Sequence, residues 1–144
     1  MSSPPLGFRR GRRMTVTVGV AALSGDLEVN DFVGLDANKF AVRRDADGAI
    51  YGVVMEGVPS PPADGEATVL LDISEESIYE FAASLAPTQA VVGTSTDISG
   101  RQEVLTGVAA APASNNVVIH EIKVAAGTVY ASIVRDAVVP KAGA

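Results

Sequence analysis

Residues 9–20 read RRGRRMTVTVGV. In the second half of that stretch Thr15 and Thr17 alternate with Val16, Val18 and Val20. A period of two puts the valines on one face and the threonines on the other, which is the pattern of a half-buried strand. The first half is different. Arg9, Arg10, Arg12 and Arg13 fall within five positions, behind Pro4 and Pro5 and with Gly7 and Gly11 in the run. Proline favours extended backbone and glycine weakens a helix. Leu6 and Phe8 are the large apolar residues of the segment after Met1. The expectation is an extended basic arm over 1–13 that leads into a β-rich domain over 14–139, with a loose tail over 140–144.

Downstream of this strand, short apolar runs alternate with turn signals. Ser24-Gly25-Asp26, Asp36-Ala37-Asn38 and Asp45-Ala46-Asp47-Gly48 separate β-like pieces at Asp31–Leu35, Lys39–Arg43 and Ala49–Met55. The Asp-Gly pair at the end of the third turn is a hairpin cue. Val58–Gly65 carries three prolines and reads as a rigid extended loop before a strand at Thr68–Leu71. Further pieces follow at Ala90–Val92 and Glu103–Val108, then a hairpin in which Val118–Val124 turns through Ala125–Thr128 and returns along Val129–Val134. Strands this short, spaced by glycine-containing turns, indicate a mainly β fold, a small barrel or sandwich.

One stretch reads as a helix, at about 75–85. Asp72 or Ser74 is placed to cap it, and Glu75 and Glu76 fall in the first turn, at the positive end of the dipole. Ile78, Phe81, Ala82 and Leu85 make an i, i+3, i+4, i+7 stripe, and Pro87 ends it.

Composition narrows the function. The chain has 144 residues, enough for one domain with a buried core, and 47 % of them are apolar. It has no cysteine, which excludes disulfides and thiolate chemistry. The sequence has no apolar run of transmembrane length, and an alternating segment rather than a continuous apolar one follows the basic stretch. The expectation is therefore a protein that stays off the membrane. The formal charge is −6, but it is unevenly spread. No acid precedes Asp26, so residues from Met14 onward hold seven basic against 17 acidic side chains, a formal −10. An acidic body repels nucleic acid, whereas a +4 segment suits acidic protein groups.

The inventory for catalysis is thin. His120 is the single histidine, and no Gly-x-Ser-x-Gly elbow accompanies it. It reads as a structural or interface residue on a face with Val118 and Ile122. Asp45-Ala46-Asp47-Gly48 resembles the front of a Ca²⁺ loop, but Gly48 stands at the fourth position rather than the sixth, so it reads as a turn. Glu75, Glu76 and Glu80 read as helix-dipole partners rather than an acid–base pair. No catalytic, cofactor-binding or metal-binding residue is assigned, and no cofactor is expected. The candidate site is a partner-binding one: Leu6 and Phe8 as apolar anchors, with Arg9, Arg10, Arg12 and Arg13 for carboxylates. A plain disordered tail and a nucleic-acid-binding arm are the competing readings of that segment.

Several stretches resemble the small decoration, or cement, proteins of tailed-phage capsids. They are Ala22–Asp26, Phe32–Asp36, Ala49–Val54 and Ala125–Val129, spread over most of residues 20–130. The arginine-rich segment has no counterpart in that pattern. The resemblance implies a barrel-like protomer that forms homotrimers on the outer surface of the virion, where it binds the major capsid protein and holds the shell. It implies no catalytic residues. Another virion part, such as a spike base or tail domain, and a small-ligand-binding barrel remain as alternatives.

Overall fold

A computed structural model describes residues 6–45, 49–106 and 116–134. The fold is mainly β. Its strands are β1 (Gly7–Arg10), β2 (Thr15–Gly19), β3 (Phe32–Leu35), β4 (Ala41–Arg43), β5 (Gly52–Val54), β6 (Thr68–Asp72), β7 (Ile78–Ala83), β8 (Ser95–Thr96), β9 (Ile98–Gly100), β10 (Glu103–Val104), β11 (Val117–Lys123) and β12 (Thr128–Ile133). The Thr/Val alternation is β2, as the sequence indicates, with Val16 and Val18 half-buried and Thr15 and Thr17 exposed.

Two sheets result. The larger runs β8-β11-β12-β7-β10-β9, with β1 also paired to β7. Its two end strands, β8 and β9, are consecutive in the chain and separated only by Asp97, so the sheet must curl until its edges meet. The Leu105 amide donates to the Asp97 carbonyl at 2.9 Å and the Thr96 hydroxyl to the Leu105 carbonyl at 2.9 Å, which draws the edges together. The sheet is nearly closed and barrel-like. The smaller sheet runs β2-β6-β5-β3-β4, all antiparallel. Its end strands also approach, through a bridge between Val20 and Ala41.

The β3 and β5 strands join the two sheets into one core. Phe32 and Val53 pack with Tyr79, Phe81, Ile119 and Val129 of the larger sheet. Their chain neighbours Val33 and Val54 face the other way, onto Val20, Ala41, Val69 and Leu71. The pleat therefore serves both clusters, and strands buried on both faces carry apolar residues without alternation. Four of the chain's seven aromatic residues stack in series. Phe8 meets Tyr79 edge-on at 5.6 Å, Tyr79 stacks on Phe81 at 5.7 Å, and Phe81 lies 4.6 Å from Phe32. Each such contact adds about 1 kcal/mol beyond the area buried.

The helix expected at about 75–85 is a strand. Ser74 accepts the Glu76 amide through its hydroxyl at 2.9 Å and closes a turn, after which β7 runs from Ile78 to Ala83. Tyr79 and Phe81, two apart, both enter the core, whereas Leu85 of the expected helical stripe is 62 % exposed. The reason is tertiary. β12 takes one edge of β7, and β1 and β10 share the other. That pairing satisfies backbone groups along both edges and outweighs a local periodicity in residues with good strand propensity.

Two smaller expectations change as well. The expected strand at Ala90–Val92 is a 3-10 turn, Gln89–Val91. The Asp-Gly cue at 47–48 does not join a hairpin, because β4 and β5 both pair with β3 and not with each other; residues 46–48 themselves lie outside the described residues, as do 107–108 of the expected Glu103–Val108 strand and the expected tail. The hairpin of β11 and β12 forms as read, but a bulge between Ile119 and Glu121 lets Ile122 pack on the core and leaves His120 exposed, so these two do not share a face as expected.

The N-terminal segment departs most from expectation. Residues 7–10 do not extend from the body as an arm, because β1 is a strand of the larger sheet. From β1 the chain turns through Gly11 to Met14 and crosses to β2 in the smaller sheet. At Gly11 φ is +108°, and a Cβ there would lie 2.0 Å from the Glu76 carbonyl oxygen. Gly11→Ala is expected to cost about 3 kcal/mol, from backbone strain together with the steric conflict. Gly93→Ala, at φ +82° with open space around the Cβ, is expected to cost about 1 kcal/mol. Urea denaturation of both variants checks the difference.

Candidate functional site

The arginines of the N-terminal segment meet acids, but acids of the same chain. Gly7 pairs with Glu80 across β1 and β7, and Arg9, in the bulge between Phe8 and Arg10, reaches that carboxylate. Arg9 donates to Glu80 Oε1 from Nε at 3.0 Å and from Nη2 at 2.6 Å. The Thr128 hydroxyl of β12 donates to the other oxygen. Glu80 is 5 % exposed, so its charge needs these donors. Arg13 covers the Phe8 ring at 3.9 Å and places Nε 3.9 Å from Asp72. Phe8 is half-buried against Tyr79. The Leu6 carbonyl accepts from the Asn30 side chain at 3.4 Å.

Asp72, 1 % exposed, gathers more of the chain. Oδ1 accepts the amides of Met14 and Ser74, each at 3.0 Å, and Oδ2 accepts the Tyr79 hydroxyl at 2.7 Å. Burial, and then the bond to Asp72, push the Tyr79 phenol far above its ordinary range, so it stays a donor. A third carboxylate, Asp31, is fully buried where the chain enters β3. Arg101, between β9 and β10, donates to both its oxygens at 2.9 and 2.8 Å, joined by Gln102 at 2.9 Å and the Glu28 amide at 2.8 Å. Burial alone would raise this carboxyl. The Arg101 and Gln102 bonds more than offset it and hold the group below the usual aspartate value.

Of the six residues assigned to a partner, Leu6, Phe8 and Arg9 are half-buried in the protein's own body, and Arg10, Arg12 and Arg13 are exposed, Arg13 while lying over the Phe8 ring. Arg12 stands at the corner between the sheets, where its carbonyl accepts the Ser77 hydroxyl at 3.3 Å. Arg10 lies on the outer face of the larger sheet, with its guanidinium 5.8 Å from the centre of the Tyr130 ring. Lys123 approaches the same ring at 4.9 Å and pairs with Glu121 at 2.5 Å. His120 is exposed at the bulge of β11, its Nε2 2.8 Å from the Ser132 hydroxyl. Burial, and then the nearby Arg10 charge, lower its pKa, so the ring is neutral at pH 7.

His120 and Ser132 form a contact, not a triad. Among the described residues no carboxylate bonds the other ring nitrogen, and Ser132 is 5 % exposed near the end of β12. Glu75, Glu76 and Glu80 are not a helix terminus. The first two stand in a turn, and the third is buried under Arg9. Asp45 pairs with Arg43 at 3.1 Å. Among the described residues no group of three acidic or histidine side chains is placed to hold a metal ion, and no helix is long and apolar enough to cross a membrane.

Sequence reasoning missed the Asp31–Arg101 and Asp72–Tyr79 ties and the cluster around Tyr130. The one available signal was an aspartate flush against an apolar run, in Asn30-Asp31-Phe32-Val33 and Leu70-Leu71-Asp72-Ile73, where a charge must be paired if the run is buried. Neither a scan against protein-family models nor a search of curated proteins returns a match for this chain.

Two measurements separate the inward arginines from the outward ones. Arg9→Ala leaves Glu80 buried without its ion pair and is expected to cost about 2 kcal/mol, whereas Arg12→Ala is expected to stay within about 0.5 kcal/mol; denaturant titration reads both. The Asp31 tie sets an acid limit. A carboxylate with a depressed folded pKa stabilises above its unfolded pKa, and that contribution disappears as the pH falls through the folded value. In Arg101→Ala the buried carboxylate loses its main donor, so the variant is expected to be less stable at pH 7. Its deficit relative to wild type should narrow on acidification through pH 4 to 2, as followed by thermal melts across that range.

Proposed function

We propose that the protein is a structural component of a phage virion, a decoration protein that binds the outer surface of the assembled capsid as a trimer and stabilises it. The observation that carries this reading is how the polar groups are used. Three buried carboxylates, Asp31, Asp72 and Glu80, each tie segments that are distant in the chain, through Arg101, through Tyr79 and the Met14 amide, and through Arg9. Charge spent on fixing a small mainly β protomer suits a protein whose task is mechanical. The mainly β fold also agrees with the resemblance carried by residues 22–26, 32–36, 49–54 and 125–129.

The mechanism is thermodynamic. A trimer contacts several capsid subunits at once, so linked weak contacts give a strong whole. Binding the assembled shell and not its separated subunits shifts the equilibrium toward the shell. Of the arginine run, Arg12 at the exposed corner is the residue we assign to capsid carboxylates, with Leu6 beside the same segment. Phe8, Arg9 and Arg13 contribute indirectly, by fixing the strand that presents it.

The test mixes full-length protein with mature, undecorated shells from the same source. Saturation at a fixed multiple of three per symmetry unit and a raised shell melting temperature are expected. Arg12→Glu should weaken shell binding by about tenfold at unchanged protein stability, since like charges set against each other at an interface are costly. A well-folded sample that leaves the shell unbound and its melting temperature unchanged would sink the reading.

A further inference from the structure

The outer face of the larger sheet gathers basic side chains around one aromatic ring. β1 brings Arg10 there, β12 brings Tyr130 and β11 brings Lys123 and His120. Arg10 and Lys123 both approach the half-buried Tyr130 ring, at 5.8 and 4.9 Å. Beneath them Arg9 is neutralised by Glu80, and Lys123 is shared with Glu121. The Arg10 guanidinium lies over the Tyr130 ring, within electrostatic reach of the Glu121 carboxylate. The His120 ring is held neutral beside it, so it adds no charge at pH 7 but offers a polar edge. Arginine and tyrosine held together in this way are the residue types that dominate binding energy at protein interfaces.

We propose that this face, centred on Arg10, Tyr130 and Lys123, docks onto the acidic surface of a second copy of the same chain. Charge complementarity names the occupant. From Met14 onward the chain carries a formal −10, and the connection between β5 and β6 exposes Glu56, Asp64 and Glu66. A twofold axis through the patch would set Arg10 and Lys123 against like charges, so the patch meets a different, acidic surface of the next copy. Two copies can exchange such a contact reciprocally, or it can repeat from copy to copy. Repetition of such a contact closes a ring or runs into a filament. Closure at three rests on the reading given under Proposed function, while the contact itself does not.

Sedimentation equilibrium of the full chain tests it, in wild type and in Arg10→Glu combined with Lys123→Glu. Wild type is expected to form a closed oligomer in 0.1 M salt. Its dissociation constant should rise at least about tenfold in 1 M salt, where the screening length shrinks from about 10 Å to about 3 Å. The double variant should be monomeric at concentrations where wild type is assembled. The salt series on wild type decides independently if the variant folds poorly. A wild type that is monomeric throughout, even one whose patch retains a hexaglutamate peptide or a DNA fragment, overturns the proposal, as does a folded double variant that assembles like wild type. Shell binding is read separately. Protomers that bind shells singly sink this contact and leave the stabilising role standing, whereas an oligomer that ignores shells does the reverse.

Discussion

Asp72 is the point on which the fold turns. β1 belongs to the larger sheet, β2 to β6 to the smaller, and β7 to β12 to the larger again. Among the described residues the chain therefore passes between the sheets twice, once from Arg10 to Thr15 and once from Asp72 to Ile78. The two crossings lie side by side. Ile73 donates its amide to the Met14 carbonyl at 2.8 Å, Ser77 its hydroxyl to the Arg12 carbonyl at 3.3 Å, and Gly11 packs on the Glu76 backbone. Asp72 fastens both, through the Met14 amide on one and Ser74 and Tyr79 on the other. A carboxylate 1 % exposed cannot remain there without such donors. Its position fixes how the sheets are joined, and with that where β1 lies.

From that constraint follows the fate of the basic run. Once β1 is held on β7, Arg9 and Arg13 are delivered to Glu80 and Asp72, and Phe8 to Tyr79. Two of the four arginines are then matched to acids inside the protomer. What remains outward is small and directional, with Arg12 at the corner and Arg10 on the sheet face beside Lys123. Both proposals made for this protein use that remainder. The capsid contact is assigned to the corner and the contact between copies to the face, and the buried ties give each surface a rigid base.

Period-two patterning made β2 readable, and apolar runs bounded by nearby turn signals made β3 and the β11–β12 hairpin readable. Ile78–Ala83 was misread because its apolar spacing fits a helix locally, while its strand character comes from β12, β1 and β10, two of them more than 20 residues downstream. The arm was misread for a related reason. Proline, glycine and arginine describe a segment's local freedom and charge, not the partner that waits in the fold, and Glu80 is 71 positions from Arg9. The six residues singled out do cluster in one region, yet their chemistry is divided between inside and outside. Only register decides that division, and register across such a distance is not a property of the segment alone.

Amide hydrogen exchange over residues 7–10 tests the central claim most directly. If the crossings tied at Asp72 make the N-terminal strand part of one cooperative unit, the amides of β1 bonded to β7 exchange as slowly as those of β7 itself. Asp72→Asn should then loosen β1 and β7 together. Exchange of residues 7–10 at the rate of an unprotected peptide, beside a protected β7, would contradict the account. It would restore a free basic arm on an independently folded body.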